Sequence, residues 1–227
     1  KEILLMTHIV LGYPTFDVNR QVIAQMVANG VDCIEMQIPF SEPMADGPVI
    51  LKANQDSLAL GTNVCDCMAF GAEMANQYDI PFLFMTYYNI IFKYGEQEFF
   101  KDCSKAGIQG LIIPDLPPEM GADFFKLAGE HQVAPVLIFA PTSTDRRMAE
   151  LNEKGSGFIY CVARRGVTGK QSEFGDDFGD YLARCRAATS LPIAVGFGIR
   201  NRDDVAALTG KADMAVIGSR TIKLVDE

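Results

Sequence analysis

Short apolar runs rich in β-branched and aromatic residues recur along the chain, with stretches of helical periodicity between them. The runs predict strands over Ile3–Val10, Cys33–Met36, Phe82–Thr86, Gly110–Ile113, Pro135–Phe139, Phe158–Val162, Ile193–Val195 and Met214–Ile217. The intervening segments predict helices over Asp17–Ala28, Val49–Leu60, Val64–Gln77, Gln97–Lys105, Gly121–His131, Ser143–Lys154, Asp176–Ala188 and Arg202–Leu208. Asp17 and Ser143 read as N-caps, and Gly30, Gly107 and Gly155 as helix stops. Strands that alternate with helices make right-handed βαβ units and a parallel sheet.

Eight such units fit a closed (β/α)8 barrel, a TIM barrel, better than an open doubly wound sheet. The open sheet lacks its usual signature, since no G-x-G-x-x-G follows the first strand. No linker, low-complexity run or charge block divides the chain, so residues 1–227 read as one domain. The ends read as short. Only Ser219–Glu227 follows the last strand, too little for a full closing helix, so terminal residues are expected to be missing.

Composition narrows the function. At 227 residues the chain can bury a substantial core, and 48% hydrophobic with 22% charged residues is ordinary for a soluble enzyme. A net charge of -9 argues against a surface that tracks nucleic-acid phosphates. A small anion stays possible, because local backbone donors hold it regardless of net charge. No apolar run is long enough for a membrane span, and Lys1-Glu-Ile-Leu-Leu-Met6 runs into a strand rather than a signal peptide. The cysteines are Cys33, Cys65, Cys67, Cys103, Cys161 and Cys185; their spacing assigns neither a disulfide nor a metal site, and reduced thiols suit a cytoplasmic protein.

The candidate chemistry begins with two acids. Glu35 sits where strand alternation buries it, and a buried carboxylate is costly without a reason. Asp46 follows on a Pro- and Gly-rich loop, where capping a helix at Pro48 is the rival role. In a barrel, the loops after the strands form the reactive face. Gly166-Val-Thr-Gly169, Gly196-Phe-Gly198 and Gly218-Ser219 follow the sixth, seventh and eighth strands and together read as a phosphate cradle. Tyr160, on the sixth strand, either hydrogen-bonds Glu35 across the barrel or fills core. Asp115 shapes its loop or lines the site, while Tyr87, Tyr88 and Asn89 line the mouth. His8 lines the barrel, His131 ends a surface helix, and Arg164 and Arg165 are loop charges.

With those residues in order, the chain resembles the α subunits of tryptophan synthase over nearly its whole length. The resemblance rests on Glu35 with Ile38-Pro-Phe-Ser-Glu-Pro-Met-Ala-Asp-Gly-Pro48, and on Leu11-Gly-Tyr-Pro14, Tyr87-Tyr-Asn89 and Pro114-Asp-Leu-Pro117. Arg164-Arg-Gly-Val-Thr-Gly169, Gly196-Phe-Gly198 and Gly218-Ser219 complete it. It implies a lyase that cleaves indole-3-glycerol phosphate by a retro-aldol reaction into indole and glyceraldehyde 3-phosphate, in tryptophan biosynthesis. No cofactor is implied for this subunit; pyridoxal phosphate belongs to a partner β subunit, in an αββα heterotetramer. By the same resemblance Glu35 is the acid/base, Asp46 accepts the indole N–H, and Tyr160 binds near Glu35. Gly169, Phe197, Gly198, Gly218 and Ser219 hold phosphate, and Thr168 lies on a mobile loop that helps set Asp46.

Four residues depart from the family pattern. His8 stands where Phe or Tyr usually packs on the indole ring, and Gln37 replaces a glycine after the catalytic strand. Glu42 replaces an Asp on the partner-facing loop, and Arg165 a smaller residue of the mobile loop. His8, Gln37, Tyr87 and Asp115 are therefore expected to line the pocket. Two other readings compete: a non-catalytic paralogue that binds a phosphate ester and regulates a partner, and an isomerase or other lyase on the same kind of barrel.

Overall fold

The computed structural model describes residues 2–162, 176–196 and 198–227. Its strands are β1 (Leu4–Val10), β2 (Cys33–Gln37), β3 (Phe82–Met85), β4 (Gly110–Ile112), β5 (Ala134–Phe139), β6 (Ile159–Val162), β7 (Ile193–Gly196) and β8 (Met214–Ile217). They pair in parallel in chain order, and β8 pairs with β1, so the sheet closes. This is the TIM barrel expected from the alternation, with strand ends moved by a residue or two. Gln37, placed outside its strand from sequence, pairs with Val10 and Met85 and belongs to β2.

The period of two along each strand separates two apolar layers. Met6, Cys33, Leu83, Met85, Ile112, Val136, Phe158, Ala194, Met214 and Val216 fill the barrel interior. Their strand neighbours Ile9, Ile34, Met36, Phe82, Phe84 and Leu111 pack outward beneath the helices of the first half. Leu137, Phe139, Ile159, Cys161, Ile193, Val195 and Ala215 do so in the second half. A one-residue slip on any strand would exchange these layers, which is why register is so firmly set. His8, Glu35 and Gln37 stand on the interior face, continuing the series of Met6 and Cys33 toward the strand ends.

The helices are α1 (Phe16–Ala28), α2 (Pro48–Ala59), α3 (Val64–Gln77), α4 (Tyr88–Tyr94), α5 (Glu96–Lys105), α6 (Ala122–His131), α7 (Asp145–Asn152), α8 (Asp176–Ala188), α9 (Arg202–Ala206) and α10 (Ser219–Asp226). Sequence periodicity missed α4, because Tyr88-Asn-Ile-Ile-Phe92 favours strand by propensity. The caps also shift. Thr15, not Asp17, accepts from Val18 N at the start of α1, and Thr144, not Ser143, accepts from Arg147 N at the start of α7. In both places a threonine three residues before the amide does the capping, and the acid beside it falls in the first turn. Gly30 and Gly107 end their helices with φ of 78° and 75°. Gly155 follows the end of α7, at Asn152, without a left-handed turn. The last segment does form a helix: α10 packs on β1 and α2, and Tyr13 donates to Asp226 Oδ1 at 2.6 Å.

Buried polar groups on inner helix faces pin the loops at the strand ends. Asn19 accepts from Gly12 N at 2.8 Å and donates to Val10 O at 3.3 Å and Tyr13 O at 2.8 Å. Ser57 donates to Leu11 O at 2.6 Å, and Asn54 accepts from Phe40 N at 2.8 Å. Gly12 is required at the first of these loops: its φ is +75°, and a Cβ would come within 2.2 Å of Thr62 Oγ1 and 2.7 Å of Ser57 Oγ. Gly12→Ala is therefore expected to cost about 2–4 kcal/mol through left-handed strain and overpacking. The guanidinium unfolding midpoint, followed by circular dichroism, reads this; an unchanged midpoint would sink the argument.

Candidate active site

The register of β1 on β2 pairs His8 with Glu35, and both side chains turn into the barrel. His8 Nδ1 and Glu35 Oε1 stand 3.0 Å apart, with the two residues only 4% exposed. Glu35 thus has one oxygen held. Among the described residues its Oε2 finds no hydrogen-bond partner, and neither do His8 Nε2, Gln37 Oε1 or Thr86 Oγ1. Unsatisfied buried polar atoms are rare in folded proteins and need a reason. Four at the ends of three adjacent strands mark a polar end to an apolar barrel.

Burial is the largest influence on His8 and works against its charge, but the charge and hydrogen bond of Glu35, with Asp46 and Gln37, together outweigh it and raise the pKa above 6.5. Cys33 lies one interior layer below Glu35. Burial first, then the charges of Glu35 and Asp32, push its thiol up to about 12, which leaves it an inert filler.

Asp46 does not cap a helix. Gly47 is the N-cap of α2, without any side-chain bond, while Pro48 opens the helix. The Asp46 carboxylate turns instead to the barrel end, where its Oδ2 accepts from Gln37 Nε2 at 2.7 Å and from Tyr87 Oη at 3.0 Å. Tyr87 in turn accepts from Ala45 N at 3.0 Å and stacks on Phe40 at 5.1 Å between ring centres. Both bonds to Asp46 fall on one oxygen. Burial raises the Asp46 pKa and the Glu35 charge adds to it, against the opposing pull of His8, Gln37 and Tyr87. Burial together with the Asp46 charge pushes the Tyr87 phenol well up, so it stays a donor.

Tyr160 lies beside the acids without bonding Glu35; among the described residues no hydrogen bond joins them. Of the two roles read from sequence, a bond to Glu35 or core filling, the structure shows the second, and the reason is steric. The end of its ring occupies the space of the missing side chain at Gly196, where a Cβ would come within 2.2 Å of the hydroxyl. Burial and the charges of Glu35 and Asp46 keep the phenol protonated. Asp115 is a loop-shaping residue: its Oδ1 accepts from Tyr88 N at 2.9 Å, at the start of α4. His131 ends α6 and meets Gln97 Nε2 at 3.1 Å. Gly198 follows β7 with φ of +91°, and Gly218 caps α10 without a side-chain bond, ahead of Ser219. Thr168, Gly169 and Phe197, with Arg164 and Arg165, lie outside the described residues. Glu42 is exposed on the loop after β2, where Ser41 Oγ donates to it, and Met44 beside it is 75% exposed.

Sequence reasoning named Gln37 and Tyr87 as lining but missed that they grip Asp46. It also missed Asn19, Asn54 and Ser57, whose signal is a polar residue on a helix face that packs inward. Among the described residues, no group of three or more His, Cys, Asp or Glu side chains is placed to hold a metal.

The family model for the tryptophan synthase alpha chain matches residues 1–227. A tryptophan synthase alpha chain of Desulfotalea psychrophila is 68% identical over all of this chain and 89% of its own length. One of Syntrophotalea carbinolica is 56% identical over all of this chain and 90% of its own. A solved tryptophan synthase of Mycobacterium tuberculosis superposes with a TM-score of 0.90 at 32% identity, covering 97% of this chain and 84% of that one. With the closed barrel, the two acids and the match over the full length, the chain belongs to the tryptophan synthase alpha chain family.

Proposed function

We propose that this chain is a lyase that cleaves indole-3-glycerol phosphate into indole and glyceraldehyde 3-phosphate, with Glu35 as proton shuttle and Asp46 as acceptor of the indole N–H. The observation that carries the reading is the pair of carboxylates, Glu35 buried and Asp46 half-buried, each gripped by one oxygen: Glu35 at Oε1 by His8, Asp46 at Oδ2 by Gln37 and Tyr87. A clamped carboxylate presents its other oxygen in a set direction, which is what proton transfer and charge stabilisation both need.

The steps balance with no external reagent. Protonated Glu35 gives its proton to indole C3, forming a C–H bond and placing positive charge on the ring nitrogen, which Asp46 stabilises. The Glu35 carboxylate then takes the proton of the adjacent glyceryl hydroxyl. The bond from C3 to the glyceryl carbon breaks, its electron pair restores the indole ring, and the hydroxyl carbon becomes the aldehyde. Glu35 ends protonated, as it began.

The phosphate would sit across the barrel mouth on the backbone of Gly198, Gly218 and Ser219, with Gly169 and Phe197 completing the cradle. The uncapped N-terminus of α10 favours an anion there. Tyr160 lines the indole end. Thr168 would assist Asp46 as its loop closes over substrate, excluding water. This chemistry asks for no cofactor in this subunit.

A tryptophan synthase β subunit is the partner that the family implies. The assembly we propose is an αββα heterotetramer in which pyridoxal phosphate resides in the β subunit. The exposed loop with Glu42 and Met44 is the surface we place against it. Six free cysteines suit the reducing cytoplasm in which such an enzyme would work.

Indole release from indole-3-glycerol phosphate tests the reading, measured on the chain alone and with a β subunit added. Turnover alone, faster with the β subunit, is the expected result. No indole under either condition would refute it.

A further inference from the structure

The interior end of the barrel holds a second titratable group that the reaction above does not use. His8 is one of two histidines in the chain, and its ring is packed against the proposed shuttle itself. We propose that His8 is a positioning residue for Glu35: its Nδ1 holds Oε1, reserves Oε2 for the substrate, and makes the working proton common to both groups. The inference rests on the lyase reading for its catalytic meaning, but the His8–Glu35 pair stands apart from that reading.

Three observations carry it. The contact is 3.0 Å between buried atoms on strands in direct register, so the pair is built into the sheet rather than formed by a chance rotamer. Each member keeps one buried atom without a partner among the described residues, Oε2 on Glu35 and Nε2 on His8. A buried imidazole–carboxylate pair that served only stability would be expected to have its outer atoms satisfied too. Finally, Gln37 stands two residues beyond Glu35 on the same strand face and grips Asp46, so His8 and Gln37 line a polar seam between the two acids.

The groups facing His8 define what it can sense. β2 supplies Glu35 and the Gln37 amide, and the loop after β2 supplies Asp46; Tyr160 on β6 feels the same two acids. β8, on the other side of β1, is Met214-Ala-Val-Ile217 and offers no titratable side chain. Burial opposes the charged ring, yet the carboxylates win and His8 holds its proton more tightly than a free imidazole. With one proton shared between them, the carboxyl can give it to C3 and recover it from the hydroxyl while the ring fixes the other oxygen. When the last proton leaves at high pH, the shuttle has nothing to give. The basic limb of the rate profile therefore belongs to the pair.

His8→Asn and His8→Phe separate positioning from titration. Asparagine can still bond Oε1 but cannot titrate, so kcat at the optimum should stay within about fivefold of wild type. The basic limb of kcat/KM should move acidward, because the imidazole that holds the last proton is gone. Phenylalanine should shift the limb as well and also lower kcat by about ten- to a hundred-fold, with KM changed less than about threefold. A merely structural role would lower both rates and leave the limb in place, and that result overturns the proposal.

A second measurement needs neither substrate nor a folded His8 variant. In nitrogen-15 spectra of the two imidazoles, the His8 midpoint should lie above 6.5 and fall in Glu35→Gln, with His131 as internal reference. An unmoved His8 midpoint overturns the pair. A moved midpoint in a protein that releases no indole keeps the pair and removes only the lyase reading.

Discussion

Glu35→Gln is expected to reduce kcat for indole release by about 10³-fold or more while KM changes only a few-fold. The substitution is close to isosteric, so His8 Nδ1 keeps an oxygen to meet at the position now 3.0 Å away, and the interior packing changes little. What disappears is exchangeable acidity. One positioned acid or base is worth about 10²–10⁴ in rate. Glu35 is asked to act as both, first toward C3 and then toward the hydroxyl, so neither step is spared. A 10³-fold loss corresponds to about 4 kcal/mol of transition-state stabilisation, and an unchanged KM would place that loss in the chemistry rather than in binding. Steady-state indole release on the folded variant reads it. A rate within tenfold of wild type would remove Glu35 from the role of shuttle. The same comparison bears on the paralogue that merely binds phosphate esters, since such a protein would show no turnover to lose.

The barrel was legible because two periodicities are written plainly into the chain. Strand residues alternate between an interior set, such as Met6, Cys33 and Leu83, and an outer set, such as Ile9, Ile34 and Phe84, and the alternation survives in all eight strands. Glu35 stood out because a carboxylate in that interior series is costly. What stayed hidden depends on distances between segments remote in sequence. Nothing local says that Tyr87 reaches back to Asp46, 41 residues away, or that Asn54 pins Phe40. The α4 helix was hidden for the opposite reason: its Tyr, Ile and Phe residues favour strand locally, and tertiary packing overrides them. Tyr160 shows how residue type alone can leave a role open. Its type allowed either a bond to Glu35 or core filling, and the space left by the missing side chain at Gly196 decides for the second.

Asp46→Asn is expected to lower kcat/KM by about 10²–10³-fold, the loss typical for removing a preorganised group that meets developing charge. The clamp on this residue makes the usual conservative choice the harsher one. Oδ2 accepts from both Gln37 Nε2 at 2.7 Å and Tyr87 Oη at 3.0 Å, so the position they address must remain an acceptor. Asparagine satisfies them only by keeping its carbonyl oxygen there, which forces its NH2 group into the place of Oδ1. The indole N–H would then meet a donor where it needs an acceptor. Charge stabilisation is lost and a repulsive contact is added, so Asp46→Asn should be no faster than Asp46→Ala. A pH signature accompanies the loss. Burial raises the Asp46 pKa and the Glu35 charge adds to it, so wild-type activity should fall as pH drops through that raised value and Asp46 takes up a proton; the asparagine variant should lack this contribution to the acid limb. A substrate analogue methylated on the indole nitrogen provides the decisive comparison. It has no N–H to offer, so the deficit of Asp46→Asn relative to wild type should shrink by about tenfold or more, leaving only the share that comes from the charge on the ring nitrogen. If the variant instead keeps its full 10²-fold deficit on the methylated substrate, Asp46 acts on something other than the ring nitrogen, and the division of labour between the two carboxylates must be redrawn.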